Sequence, residues 1–293
     1  MNSFTKKIIK VYITLRSGTF SEDANTKIVT GVPIKARIEK TGPPDFGKAT
    51  VEIQGMQMET MERLSTLSFY PLFFNRNFIN IYAGDEESGL NLAFSGEITK
   101  ASADLNAAPN VRFKMECMTG YFGLVTVQSP TAVHGSQTVE QFIKSQANTM
   151  GYDFVNEGVT ASVSNCIFNG SPLQQARQCA KQVGAELLLD DNTLILLPKN
   201  GSIGNAVLLN KSTGMIGYPV ISSQGVEVKS LYNPKYRLGG LIKIDETLTP
   251  RAKGTWRIIK LTHDLCAFDP SGGNWESQMT TFYPAMSGAG GRI

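Results

Sequence analysis

A period of two runs through most of the first 130 residues. KKIIKVYITL (Lys6–Leu15), KIVTGVPIKARIEK (Lys27–Lys40), KATVEI (Lys48–Ile53), NFINIYA (Asn77–Ala83), LNLAFSGEITK (Leu90–Lys100) and NVRFKMECM (Asn110–Met118) alternate apolar and polar side chains. That is the signature of strands with one buried face. Gly31 and Pro33 interrupt the second, and a proline inside a strand marks an edge or a bulge. Turn formers separate the strands: Ser17–Asn25, TGPPDFG (Thr41–Gly47), a loop at Pro71–Asn77 and the acidic turn Asp85–Ser88. One stretch departs from the rule. In Gly55–Leu67, Met58, Met61, Leu64 and Leu67 recur every three residues, which predicts a short helix whose stripe packs on a core. Six or seven strands and one helix within 1–128 predict an antiparallel barrel or curled sheet, because closure removes exposed edges.

The period then changes. QSPTAVHGS (Gln128–Ser136) reads as a linker by composition. Thr138 opens a helix with Val139, Phe142, Ile143, Ala147 and Met150 on one face, and Gly151 fits its left-handed end. VSNCIF (Val163–Phe168) is a short strand. Ser171 and Pro172 suit the N-cap and first turn of a second helix. Its apolar face is Leu173, Ala176, Ala180 and Val183, and Gly184 ends it. Ala185–Leu189 and Thr193–Leu197 form a hairpin around Asp190, Asp191 and Asn192. This predicts a small α/β unit of two helices and a short sheet between two β-rich stretches. Beyond it, Asn205–Leu209, Ile216–Val220, Gln224–Ser230 and Leu238–Ile244 are further strands. Gly254–Tyr283 (GTWRIIKLTHDLCAFDPSGGNWESQMTTFY) reads as a long hairpin with a flexible tip at Asp269–Gly273.

The expected architecture is therefore β-rich α+β: two antiparallel β-barrel modules with a small α/β insert between them. The boundaries are 1–128 for the first barrel, 129–204 for the insert, 205–285 for the second barrel and 286–293 for a flexible tail. A length of 293 residues suits two or three domains.

Composition narrows function by exclusion. Charged residues make up 18% and glycines number 28, which suits β structure with extensive contact surfaces. A net charge of +3 without a basic run does not suggest a nucleic-acid site. No apolar run approaches the roughly 20 residues of a membrane span. The N-terminus alternates as a strand rather than forming a signal-peptide core, so the expectation is synthesis in the cytoplasm without general export. Cys117, Cys166, Cys179 and Cys266 are scattered and read as free thiols in a reducing compartment rather than zinc ligands.

Candidate chemistry is thin. Asp85, Glu86 and Glu87 could attract calcium but lack the spacing of a calcium loop. Asp190 and Asp191 invite an acid–base reading, but at the tip of a tight hairpin they are expected to point into water. His134 falls in the linker. His263 adjoins Asp264, yet neighbours on a strand point to opposite faces, which argues against a dyad. No residue is assigned a catalytic, cofactor-binding or metal-binding role, and no cofactor is expected.

Several stretches in order resemble the baseplate hub proteins of contractile-tailed bacteriophages, the superfamily of late control protein D and the central hub of myoviruses. They are KATVEIQGMQMETMERLSTL, the acidic-turn hairpin FINIYAGDEESGLNLAFSGEITKA, the helix–strand–helix insert, and the closing GTWRIIKLTHDLCAFDPSGGNWESQMTTF. The resemblance spans nearly the whole chain. It implies a structural virion protein, not an enzyme, whose two tube-like barrels per subunit build a homotrimer. Such a ring would adapt a sixfold tail tube to a threefold central spike, contact other baseplate proteins, and pass tape-measure protein and DNA through its lumen without membrane insertion. It implies a place in the tail baseplate after assembly in the host cytoplasm. The alternative readings are a cell-wall hydrolase or a peptidoglycan-binding tail protein.

Overall fold

The computed structural model describes residues 5–20, 24–65, 77–223, 225–245 and 247–283. The expected loop before Asn77, the Leu67 end of the methionine stripe and the expected tail at 286–293 lie outside the described residues.

The first β region holds β1 (Lys7–Thr14), β2 (Thr26–Val29), β3 (Ile34–Thr41), β4 (Lys48–Gln54), β5 (Phe78–Asp85), β6 (Gly89–Asp104) and β7 (Arg112–Met118). Two short helices accompany them, α1 (Met58–Leu64) and α2 (Tyr121–Val125). The break at Gly31–Pro33 does more than bulge one strand. It separates β2, which among the described residues pairs only with β1, from β3, which lies between β4 and a strand from the far end of the chain. The inward set Ile9, Val11, Ile13, Ile34, Ile38, Val51, Ile53, Ile79 and Ile81 is fully buried. β-branched side chains at alternate positions suit a pleated sheet with one face in a core. In α1, Met61 and Leu64 are buried whereas Met58 is exposed.

The insert carries α3 (Val139–Met150) and α4 (Pro172–Gln182). Thr138 caps α3 through the Gln141 amide, and Gly151 ends it at φ +73°. Ser171 and Gln174 form a reciprocal capping box on α4. The strands are β8 (Thr131–Thr138), β9 (Asp153–Asn156), β10 (Ser162–Phe168), β11 (Glu186–Asp190) and β12 (Thr193–Leu197). Gln128–Ser136 is not a linker: most of it is β8, paired with β10 across a bulge at Gly135 and Asn165. Gly135, at positive φ in the bulge, and the polar residues around it gave the stretch its loop-like composition.

The second β region holds β13 (Ile203–Leu209), β14 (Met215–Ile221), β15 (Val226–Leu231), β16 (Gly240–Ile244), β17 (Gly254–Ala267) and β18 (Trp275–Phe282). The two β regions share one sheet, in the order β14-β15-β18-β17-β3-β4-β7-β6-β5-β1-β2, with β16 and β13 branching from β17.

β17 makes that continuity possible. Its first residues pair with β16, from Ile244 opposite Gly254 to Leu241 opposite Arg257. Its later residues pair with β3, from Thr41 opposite Lys260 to Ile34 opposite Ala267. A bulge between Ile258 and Lys260 marks the change of partner. Trp256, Ile258 and Leu261 enter the second core; Leu265 and Ala267 enter the first. The hairpin tip is tied down: Asp269 accepts from the Ser271 amide at 2.9 Å and meets Lys35 Nζ at 2.8 Å. Four apolar clusters result, one per β region, one in the insert, and a small one of Leu188, Ile195, Leu197 and Leu238. The class is the one expected, mostly antiparallel β with a small α/β insert.

Candidate functional site: a buried ionic junction

Strand β3 reads Ile34, Ala36, Ile38, Lys40 on its buried face, so a lysine occupies a position the alternation reserves for an apolar side chain. Lys40 is buried, and an unpaired ammonium there would be costly. The insert supplies its partners. Nζ lies 2.8 Å from Asp190 Oδ1 and 2.7 Å from Asp191 Oδ2. Asp191 Oδ1 also accepts the Ser95 amide of β6 at 3.0 Å. Arg237, from the second β region, stands 3.9 Å from Asp190 Oδ2. The aspartates therefore do not point into water; the hairpin tip is pressed into the junction, with Asp191 at φ +53°.

Burial alone would lower the Lys40 pKa, but the two aspartates reverse this and hold it above the ordinary lysine value. Burial pushes Asp191 up; Lys40 pulls it back, Asp190 pushes it up again, and the net direction is upward. The Tyr232 hydroxyl, also near this group, is pushed up to about 12 by burial.

Strand β11 lies across the point where β17 changes partner, and both its ends are pinned. Glu186 meets Arg257 of β17 at 2.9 Å, and Asp190 meets Lys40 of β3. Between them Leu188 is 1% exposed. Its methyls approach two glycines, Gly42 of the first β region and Gly239 of the second. A Cβ on Gly239 would come 2.7 Å from Leu188 Cδ1, and its φ of +77° favours glycine as well. On the opposite face, a Cβ on Gly120 would come 2.4 Å from Leu189 Cδ2. Arg177 of α4 adds a third tie, donating to the Pro44 and Asp45 carbonyls at 3.1 and 3.3 Å. The insert is thus wedged against both β regions at once.

His263 sits beside this junction on β17 and is 3% exposed. Its Nδ1 is 2.8 Å from Ser277 Oγ, and the Tyr232 ring meets it edge to face at 5.0 Å. Burial, aided by Lys40, pushes its pKa down to about 3. Asp264 points the other way and bonds Arg37 at 3.3 Å, so the two do not form a dyad. His134 is exposed on β8. Asp85 organises its own turn, accepting from the Glu87 and Ser88 amides at 3.0 and 2.7 Å. Among the described residues no group of three or more His, Cys, Asp or Glu could hold a metal. Cys117 and Cys179 are buried thiols, and Cys166 and Cys266 are half-buried.

The His263 shift has a measurable consequence. Below pH 6.5 the unfolded chain binds a proton at this position and the folded chain does not, so stability falls as pH falls toward 3. The slope is about 1.4 kcal/mol per pH unit, or about 2 kcal/mol between pH 6.5 and 5. Denaturant unfolding across that range should show the loss in the native protein and lose that component in His263→Gln.

The surface opposite the first core is charged across β17, β3, β4, β7 and the later part of β6. Lys35 faces Glu52, which faces Lys114; Arg37 faces Thr50, then Glu116, then Lys100. Cations and anions are interspersed along these rows, with cations in modest excess.

A mostly antiparallel sheet runs unbroken through two β regions, and an inserted α/β wedge locks them together. The baseplate hub gp41 family model matches residues 8–271, and the chain belongs to that family. Solved structures share the fold. A tail protein from Neisseria meningitidis MC58 aligns with TM-score 0.63 at 8% identity, covering 93% of this chain and 96% of that one. The 43 kDa tail protein of prophage MuSo2 from Shewanella oneidensis gives 0.61 at 10% identity, covering 94% and 97%. The E. coli c3393 protein, a type VI secretion component described as structurally similar to the T4 tail proteins gp27 and gp5, gives 0.61 at 13% identity, covering 94% and 77%. Comparison with curated proteins by sequence finds no match.

Proposed function

We propose that this baseplate hub protein assembles as a homotrimeric ring that adapts a sixfold tail tube to a threefold central spike. The observation that carries the reading is the sharing of β17 between two β regions, which gives each chain two β modules in fixed relation. Three chains would then offer six β modules to a tube on one side and three equivalent sites to a spike on the other. The modules would span 1–128 and 205–285, with the insert 129–204 facing other baseplate proteins and 286–293 a connecting tail. The mixed-charge face of β17, β3, β4 and β7 suits the wall of a passage for tape-measure protein and DNA, because anions interspersed among its cations keep it from holding a polyanion tightly. The role is structural rather than enzymatic: His263, the better placed of the two histidines, is buried and held by Ser277. The site of action is the tail baseplate, reached by assembly in the host cytoplasm.

Quantitative mass spectrometry of purified particles tests this. Three copies of the chain are expected for every six tube subunits in one ring. Equal numbers, or absence of the chain from particles, would overturn the reading.

A further inference from the structure

Among the described residues, Lys40 is the most buried lysine in an ion pair. Its side chain is 10% exposed, against 19% for Lys7, the next. The side chains of its partners Asp190 and Asp191 are 4% and 13% exposed. The two carboxylates are not equivalent. Asp191 Oδ2 lies 2.7 Å from Nζ, while its Oδ1 accepts the Ser95 amide at 3.0 Å. Asp190 Oδ1 holds the same Nζ at 2.8 Å. An amine, a carboxyl group with a backbone donor on its far oxygen, and a second carboxylate able to move protons thus stand together, largely shut off from water.

We propose that these three residues close an amide bond between Lys40 Nζ and Asp191 Cγ, joining strand β3 covalently to the β11–β12 turn of the insert. The freshly folded chain holds the ion pair, and the bond forms from it afterwards. Nζ passes one proton to Asp191 Oδ2 along their hydrogen bond, leaving a neutral amine and a neutral carboxyl. Burial favours neutral forms and already pushes Asp191 that way. The amine electron pair then attacks Cγ, and the carbonyl pair moves onto Oδ1, against the Ser95 N–H. Asp190 takes a second proton from Nζ and hands it to Oδ2, which leaves as water when the Cγ–Oδ2 bond breaks. The carbonyl re-forms at Oδ1, and Asp190 ends as the carboxylate it began. One ammonium and one carboxylate become one amide and one water, with no oxidant, reductant or co-reactant. Two desolvated charges disappear, which favours the product. The fold holds the reacting groups together, which removes most of the entropic cost of meeting. The aspartates keep Lys40 mostly protonated, so the step is slow, but it occurs only once per molecule. The product ties together residues 151 positions apart, so the insert cannot leave the first β region.

Intact-mass spectrometry of the purified chain, kept folded over days, tests this. The native mass should fall by one water, and trypsin digestion should yield a branched peptide joining Lys40 to Asp191. A succinimide at an aspartate also sheds one water, but it leaves linear peptides. Lys40→Arg keeps the cation and should hold its full mass. Asp190→Ala, with circular dichroism confirming the fold, should slow the loss at least about a hundredfold while Lys40 and Asp191 remain in place. A native chain that stays at its full mass overturns the proposal, as does a water loss that persists in Lys40→Arg or gives no branched peptide. An Asp190→Ala rate equal to the native one overturns the proton transfer assigned to Asp190.

Discussion

Replacing Lys40 by methionine should cost about 3–5 kcal/mol of stability, because it strands two carboxylates that the fold buries. Asp190 and Asp191 lie 2.8 and 2.7 Å from the ammonium, and Arg237 at 3.9 Å is too exposed to replace it. Equilibrium denaturant unfolding reads the loss as a lower midpoint. Adding Asp190→Asn and Asp191→Asn to the same chain should recover much of it, since the triple variant carries no orphaned charge. Asp190→Asn alone should cost less than Lys40→Met, because Asp191 still neutralises the lysine. The pH sign follows from the raised lysine pKa. Its contribution is fully present below 10.5 and is lost as pH rises through the higher folded value. A Lys40→Met midpoint equal to that of the native protein would show that the junction contributes nothing to holding the insert.

Leu188→Ala should cost about 2–5 kcal/mol, the range for emptying a well-packed leucine site. The cavity would open between Gly42 and Gly239, where the insert grips both β regions. Gly239→Ala attacks the same contact from the other side. Its Cβ would meet Leu188 Cδ1 at 2.7 Å, and its backbone at φ +77° adds about 1–2 kcal/mol of its own. In the Leu188→Ala background that clash disappears, and the backbone cost and a tight approach to Ile203 Cδ1 at 3.1 Å remain. The double variant should therefore be less destabilised than the sum of the singles. Strict additivity in that cycle would mean that Leu188 does not fill the glycine slot.

Most of the strands were legible because alternation is a local property. Ile34, Ala36, Ile38 and their partners declare a buried face without reference to anything distant, and the caps at Thr138, Ser171 and Gly151 are equally local. The misreadings share a cause. Gln128–Ser136 looked like a linker because a bulge recruits glycine and polar residues into a real strand. Helix α2 has five residues, too few to show a period. The aspartates at 190–191 looked solvated because hairpin tips usually are, and their partner lies 150 residues earlier. A signal for that pair was present at the other end. Lys40 falls in register with Ile34, Ala36 and Ile38, and a lysine on an apolar face demands a buried anion. His263 carries a similar signal, in register with Leu261 and Leu265. The union of the two β regions was not legible, because the change of partner along β17 depends on a bulge at Ile258–Lys260 that leaves the strand's composition unchanged.

The threefold ring of paired β modules proposed for this chain can be seen directly. The measurement is light scattering on the purified chain, with negative-stain images of the same sample. The expected result is the mass of three chains and a ring with a central hole and six lobes. A single chain at high concentration, or a closed two-chain species without a hole, would contradict it.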